Sequence, residues 1–175
     1  MKLNLGCGKD IKKSTRDENW VNMDVAKLLG VDVVWNIDKY PWPFKANTFD
    51  EVYASHVLEH VQDFVKCLEE LHRVCKKDAK IFVKVPIFPS VYAMIDPTHK
   101  NFITYFTFEY FKPGAHYEYY SKAKFNIVRR KIIFSWNKYL QWMNFFVNLH
   151  PKFYSRYLSF ILPSNELQVT LQVVK

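Results

Sequence analysis

Apolar and polar positions along the chain follow two rhythms, one of strands and one of helices. Lys2–Leu5 is a short apolar run that ends on Gly6-Cys7-Gly8, and residues 9–19 are polar, a loop with at most one helical turn. Trp20–Met23, ending at Asp24, and Val31–Trp35, ending near Asp38, predict the second and third strands. A proline-broken loop through Pro41-Trp42-Pro43 leads to Phe49–Ala54, whose continuous apolar tendency suits a strand buried on both faces. Val61, Phe64, Val65, Leu68, Leu71, His72 and Cys75 then recur at spacings of three and four, which predicts an amphipathic helix. Lys76-Lys77-Asp78 suits its C-terminal turn, and Ile81–Val85 is a fifth strand stopped by Pro86. A helix is expected over Asn101–Phe111, and strands over Phe125–Phe134 and Leu167–Val174. Between those strands the helical period of Asn137–Leu162 is split in two by Pro151.

This alternation predicts an α/β fold: a doubly wound, mostly parallel seven-stranded sheet with an antiparallel edge hairpin and helices on both faces. The 175 residues suit one domain, with residues 1–86 as a ligand-binding half and 87–175 as a second half holding an aromatic, basic helical insertion. Three cysteines without ligand-like spacing argue against a disulfide framework and for a reducing compartment. No apolar run reaches membrane-spanning length.

Charge changes the picture only in the second half. Residues 101–175 carry 10 Lys/Arg against 3 Asp/Glu, nearly all of the chain's +8, together with 20 of its 31 aromatic residues. Such a surface suits nucleic acid, an anionic membrane or a phosphorylated substrate, or reflects lysines around an aromatic core.

The candidate chemistry gathers at strand ends. Gly6-x-Gly8 lets the backbone turn tightly and approach a ligand, but position 11 is Ile, so the dinucleotide fingerprint fails. Asp24, 16 residues after Gly8, ends the second strand, where a carboxylate can accept both ribose hydroxyls. Asp38, after the third, is placed for an adenine amino group or a backbone amide. All three lie on the edge where open α/β sheets bind ligands.

Leu3-Asn4-Leu5-Gly6-Cys7-Gly8, Val21-Asn22-Met23-Asp24 and Phe49–Val61, with Ser55-His56-Val57-Leu58-Glu59-His60, resemble the class I S-adenosylmethionine-dependent methyltransferases, most closely their small-molecule branch. The likeness covers residues 2–86 well and the rest loosely. It implies S-adenosyl-L-methionine as cofactor, S-adenosyl-L-homocysteine as product, and a cytoplasmic enzyme. Carried over by position, Asn4, Leu5, Gly6, Cys7 and Gly8 would line the amino-acid end of the cofactor. Asp24 would hold the ribose, Ile37 and Asp38 the adenine, and Ser55 and His56 would lie beneath the methyl-bearing sulfur, with Val25 also among the cofactor-binding residues. The chain departs from the family in lacking the helices that often precede the first strand, a first helix over residues 9–19, and the third glycine.

On the acceptor side, Asp96-Pro97-Thr98-His99 follows the fifth strand, so His99 is the expected base, oriented by Asp96, with His60 either a second candidate base or a cap of its helix. His116 with Tyr117, Tyr119 and Tyr120 suits either an acceptor wall or a packed aromatic loop. The acceptor is expected to be a small or carrier-linked molecule. No Asp/Asn-Pro-Pro-Tyr motif ends the fourth strand, which argues against nucleic acid. Residues 137–162 suit packing on the sheet, a membrane-surface contact or a homodimer face. Two other readings compete: a non-catalytic, methyltransferase-like binding module working through the basic aromatic half, and a zinc hydrolase built on His56-x-x-Glu59-His60. The second also needs a third protein ligand, so no metal ligands are assigned.

Overall fold

The computed structural model describes residues 1–175. Its centre is one seven-stranded sheet built from β1 (Lys2–Leu5), β2 (Trp20–Asp24), β3 (Val33–Val34), β4 (Phe49–Ser55), β5 (Cys75–Pro86), β6 (Lys124–Ile133) and β7 (Glu166–Val174). The order is β3-β2-β1-β4-β5-β7-β6. The first five strands are parallel, and β7 runs antiparallel between β5 and β6. The strand order reverses at β1 and β4, so their C-terminal ends splay the loops apart and leave a crevice.

One sheet face is apolar because alternate residues share a side. Leu3, Leu5, Met23, Val52, Ala54, Ile81, Val83 and Val169 are buried there against Cys67, Leu68 and Leu71 of α1 (Phe64–Val74) and against Phe108 and Phe111 of a 3₁₀ turn, Thr107–Phe111. The other face carries half-buried Glu51, Tyr53, Phe82, Lys84, Gln168 and Thr170. No helix forms between β1 and β2, between β2 and β3, or between β3 and β4. In place of the first, the polar loop is pinned to the sheet by Asn4 and Asn22. Asn4 Nδ2 donates to Asp10 O (2.6 Å) and to Asn22 Oδ1 (3.0 Å), while Asn22 Nδ2 reaches Lys12 O (3.0 Å) and Asp32 (3.1 Å).

Several elements differ from the periodicity. α1 starts at Phe64 because Asp63 Oδ1 accepts from Lys66 N (2.9 Å), an N-cap that the apolar repeat does not mark. β5 begins at once at Cys75: Phe49 pairs with Cys75 and Glu51 with Lys80, so Lys76-Lys77-Asp78 bulge out, with Asp78 at φ 61°. β3 keeps only Val33–Val34, and the helix expected over 101–111 is only the 3₁₀ turn. The insertion forms α3 (Met143–Leu149) and α4 (Pro151–Phe153), which continues as a π-helical turn, Tyr154–Leu158, while α2 is the single turn Val91–Met94. α3 lies along the outer strand β6. Asn144 and Asn148 accept from Phe134 N (2.6 Å) and Ile132 N (2.9 Å), blunting an edge that is otherwise open for pairing.

Candidate active site

At the C-terminal end of β1 the backbone enters the left-handed region, φ 63° at Gly6 and 48° at Gly8. A Cβ on Gly6 would stand 2.4 Å from Val57 Cγ2, so only glycine fits between this turn and the chain leaving β4. Asp24 completes the turn: one oxygen accepts from Gly8 N (2.8 Å), the other from Ala26 N (2.9 Å). A cavity of about 240 Å³ opens beside it. Leu5, Gly6, Met23 and Asp24 form one side, Val25, Trp35 and Ile37 the end, and His56, Val57 and His60 the other side.

Six of the residues expected around the cofactor therefore meet at this cavity: Leu5, Gly6, Asp24, Val25, Ile37 and His56. The others stand elsewhere. Asn4 is buried on the polar sheet face as part of the loop clamp, and Cys7 is buried, with burial raising its thiol to about 11. Asp38 Oδ1 accepts from Gln62 N (2.8 Å), the backbone-amide alternative. Ser55 and Gly8 do not line the cavity. Met23, Val57 and Trp35 are additions that the sequence did not mark as site residues, since apolar side chains and a half-buried indole at strand ends read as core.

The residues present suit S-adenosylmethionine. The glycine turn lets a ligand approach the bare backbone, Asp24 is a carboxylate at the neighbouring strand end, and Trp35 and Ile37 make an apolar slot for a planar base.

Beyond His56 lies a cluster of titratable groups. His56 sits at φ 52°, and its Nε2 is 3.1 Å from Glu166 Oε2 and its Nδ1 3.4 Å from Glu59 Oε1. The Glu166 hydrogen bond and then Glu59 outweigh burial and raise His56 to about 9. Burial pushes Glu166 up, but the hydrogen bonds from His56 and Gln168 prevail and hold it below its ordinary value. Glu59 is 1% exposed, and neither carboxylate oxygen has a hydrogen-bond partner.

His99 is brought here from 39 residues away by the chain's own hydrogen bonds: Lys100 N (2.8 Å) and Asn101 N (3.1 Å) donate to Glu59 O. Its Nε2 lies 4.0 Å from Glu59 Oε1, and its ring meets that of His60 edge-on at 4.7 Å. Asp96 does not orient it as expected. The two are 3.9 Å apart, Asp96 binds Thr98 N (2.8 Å) and Oγ1 (2.7 Å), and His99 Nδ1 is held by Ala93 O (3.0 Å). His60 caps no helix, because Asp63 does.

Two expectations are corrected. His56–His60 form a turn before α1, not a helix, and His56 is tied to Glu166, so the inverted zinc-protease arrangement is absent. His116 and Tyr117 lie by a separate hollow of about 590 Å³, beside the segment where Ser121 bonds Glu69 and Lys124 pairs with Val174. That is the opposite edge of the sheet from the crevice, and the larger volume there meets no strand end.

Residues 7–83 match the family described as "Methyltransferase domain". An uncharacterized protein of Methanocaldococcus jannaschii is 36% identical over 91 residues, which are 47% of this chain and 39% of that protein. A SAM-dependent methyltransferase from Archaeoglobus fulgidus superposes with a TM-score of 0.64 at 16% identity, covering 98% of this chain and 85% of its own. The [4+2]-cyclase SpnF superposes at 0.60 with 13% identity, over 99% and 74% of the two chains, so the fold alone does not settle the reaction. With the sheet order, the glycine turn and the matched first half, the chain has the Rossmann-like, seven-stranded fold of the class I S-adenosylmethionine-dependent methyltransferases.

Proposed function

We propose that this protein binds S-adenosylmethionine in the cavity at Gly6 and Asp24 and catalyses methyl transfer to a small or carrier-linked acceptor. The observation that carries the reading is the adjacency of two sites: the glycine cradle and the Glu59–His60–His99 cluster meet at His60 on one sheet edge. When bound, the cofactor supplies a methyl group made electrophilic by its sulfonium. What the chain contributes is position and proton management.

Gly6 and Val57 fix the distance between the two sides, and Asp24 holds the turn while presenting its remaining lone pairs to a ribose. His56 is kept cationic by Glu166 and closes the far side of the pocket. His60 and His99 then face the acceptor side with free ring nitrogens, able to take a proton from an oxygen or nitrogen nucleophile.

The test is calorimetric titration with S-adenosylmethionine and S-adenosylhomocysteine, on wild type and Asp24→Ala. Binding of both ligands that Asp24→Ala weakens by about 30-fold, equal to about 2 kcal/mol, supports the pocket. Folded wild-type protein that binds neither would favour the non-catalytic module.

A further inference from the structure

We propose that Glu59, His60 and His99 hold a divalent transition-metal cation beside the cofactor pocket. One ligand atom from each lies within 4.8 Å of the others, and Glu59 is buried with no hydrogen bond to either oxygen, its one close cation being His56 Nδ1 at 3.4 Å from Oε1, so that Oε2 is left without any partner. A buried carboxylate without a donor is costly unless a cation completes it.

The surrounding hydrogen bonds decide which ring nitrogens are free. Thr98 has one hydroxyl proton, and Oγ1 gives it to Asp96 Oδ1 (2.7 Å). That oxygen must then accept from His60 Nδ1–H (2.9 Å), which leaves the lone pair on His60 Nε2. Likewise His99 Nδ1–H donates to Ala93 O (3.0 Å), leaving the lone pair on Nε2. Fixing the tautomer through the other ring nitrogen is how proteins prepare histidine ligands.

Metal–ligand bonds of about 2.1 Å set donors about 3.4 Å apart at a tetrahedral centre and about 4.2 Å apart across an octahedral one, so the side chains must close by about 1 Å on the cation. Two imidazoles and one carboxylate suit zinc, iron(II) or manganese(II) and leave positions open. His56 stays outside the set, tied to Glu166.

The site stands on these residues alone; its role rests on the methyl-transfer reading. With the cation bound, the Nε2 lone pairs of His60 and His99 are coordinated and no longer accept protons; an acceptor hydroxyl on the cation would instead release its proton to solvent and keep the electron pair on oxygen.

The experiment titrates manganese(II), zinc(II) and cobalt(II) in turn into chelator-stripped protein by calorimetry, with cobalt also followed by visible absorption. One equivalent should bind, at least tenfold more weakly in Glu59→Gln and in His99→Gln, and unchanged in His150→Gln. Absence of stoichiometric binding, or binding that survives in both Glu59→Gln and His99→Gln, overturns the site. S-adenosylhomocysteine is titrated into the same samples. Homocysteine-nucleoside binding without cation binding removes the cation and leaves the methyltransferase reading. Cation binding without it does the reverse.

A separate observation supports a second proposal, a docking surface for an anionic lipid layer on residues 136–162. Trp142 at the N-cap of α3 and Phe145, Phe146 and Leu149 within it are all exposed, while Val147 on its other side is buried. Phe153 and Tyr157 continue the apolar surface, followed by Phe160 and Ile161, which are 73% and 74% exposed. From residue 119 to 165 the chain has eight Lys/Arg and no Asp/Glu. Arg130 and Lys124 pair with Glu109 and Glu118, but Lys138, Lys152 and Arg156 lie within the patch with no acidic residue in it, and aromatic side chains beside such cations suit an anionic headgroup layer. The patch touches the His99 loop through Phe88–Phe160 (6.0 Å) and Tyr92–Trp136 (5.3 Å), so an acceptor on a lipid carrier would arrive at the cluster.

Co-sedimentation with phosphatidylglycerol-containing vesicles should show salt-sensitive binding. It should fall at least tenfold in Trp142→Ser/Phe145→Ser and on pure phosphatidylcholine. Equal binding to neutral vesicles, or no binding together with a concentration-dependent dimer in sedimentation velocity, overturns it.

Discussion

The two sides of the crevice are made differently. The cofactor side is local and backbone-built: a turn after β1, a carboxylate at the end of β2 and a contact from the chain leaving β4, all within residues 5–57. The side proposed for the acceptor is made of side chains brought together across the chain: Glu59 and His60 before α1, His99 after β5, and Glu166 opening β7. A backbone site tolerates few substitutions at its glycines. A side-chain cluster can lose a member and keep its fold.

The largest effect separating the two sides is expected at Gly6. Gly6→Ala meets both a left-handed backbone and the Val57 side chain, so stability should fall by about 3 kcal/mol in urea unfolding, with loss of S-adenosylhomocysteine binding. A folded Gly6→Ala that binds normally would contradict the cradle. On the acceptor side, His99→Gln should lower turnover about 100-fold while leaving S-adenosylhomocysteine affinity within twofold.

Glu59→Met, similar in volume, sharpens the contrast further. Glu59 makes no hydrogen bond, and His56 keeps Glu166 when Glu59 is removed, so stability should stay unchanged or rise by about 1 kcal/mol, whereas a loss above about 1 kcal/mol would make Glu59 a structural anchor.

The smallest effect is the pH dependence of the His56–Glu166 pair. His56 is raised to about 9, so its contribution is complete below the unfolded value near 6.5 and fades as pH rises through 9. Glu166 is lowered, so its contribution is present above about 4.5 and fades as pH falls through its folded value. Unfolding of wild type should therefore lose stability from pH 7 to 10 more steeply than His56→Gln. His56 is 47% exposed on its side chain, so the slope is modest.

The same division separates what was legible in the sequence from what was not. The strands, α1 and the placing of the glycine turn and Asp24 at strand ends follow from periodicity and from spacing within a few dozen residues, whereas the order of the strands does not. His99 was marked by its place after the fifth strand. Its true partners were not, because the bonds of Lys100 and Asn101 to Glu59 O are backbone contacts that carry no sequence signal. Asp96 looked like an orienting carboxylate because of its spacing, yet the nearer Thr98 captures it. Asn4 sits inside the glycine motif but alternates to the other sheet face, where Asn22 and Asp10 hold it.

The most direct test of the account is a crystal structure grown with S-adenosylhomocysteine. The account predicts the nucleoside between Asp24 and Trp35, the amino-acid end over Gly6–Gly8, and the sulfur facing His60 and His99. Ligand bound instead in the hollow by Tyr110 and His116, with the Gly6 turn untouched, would contradict it.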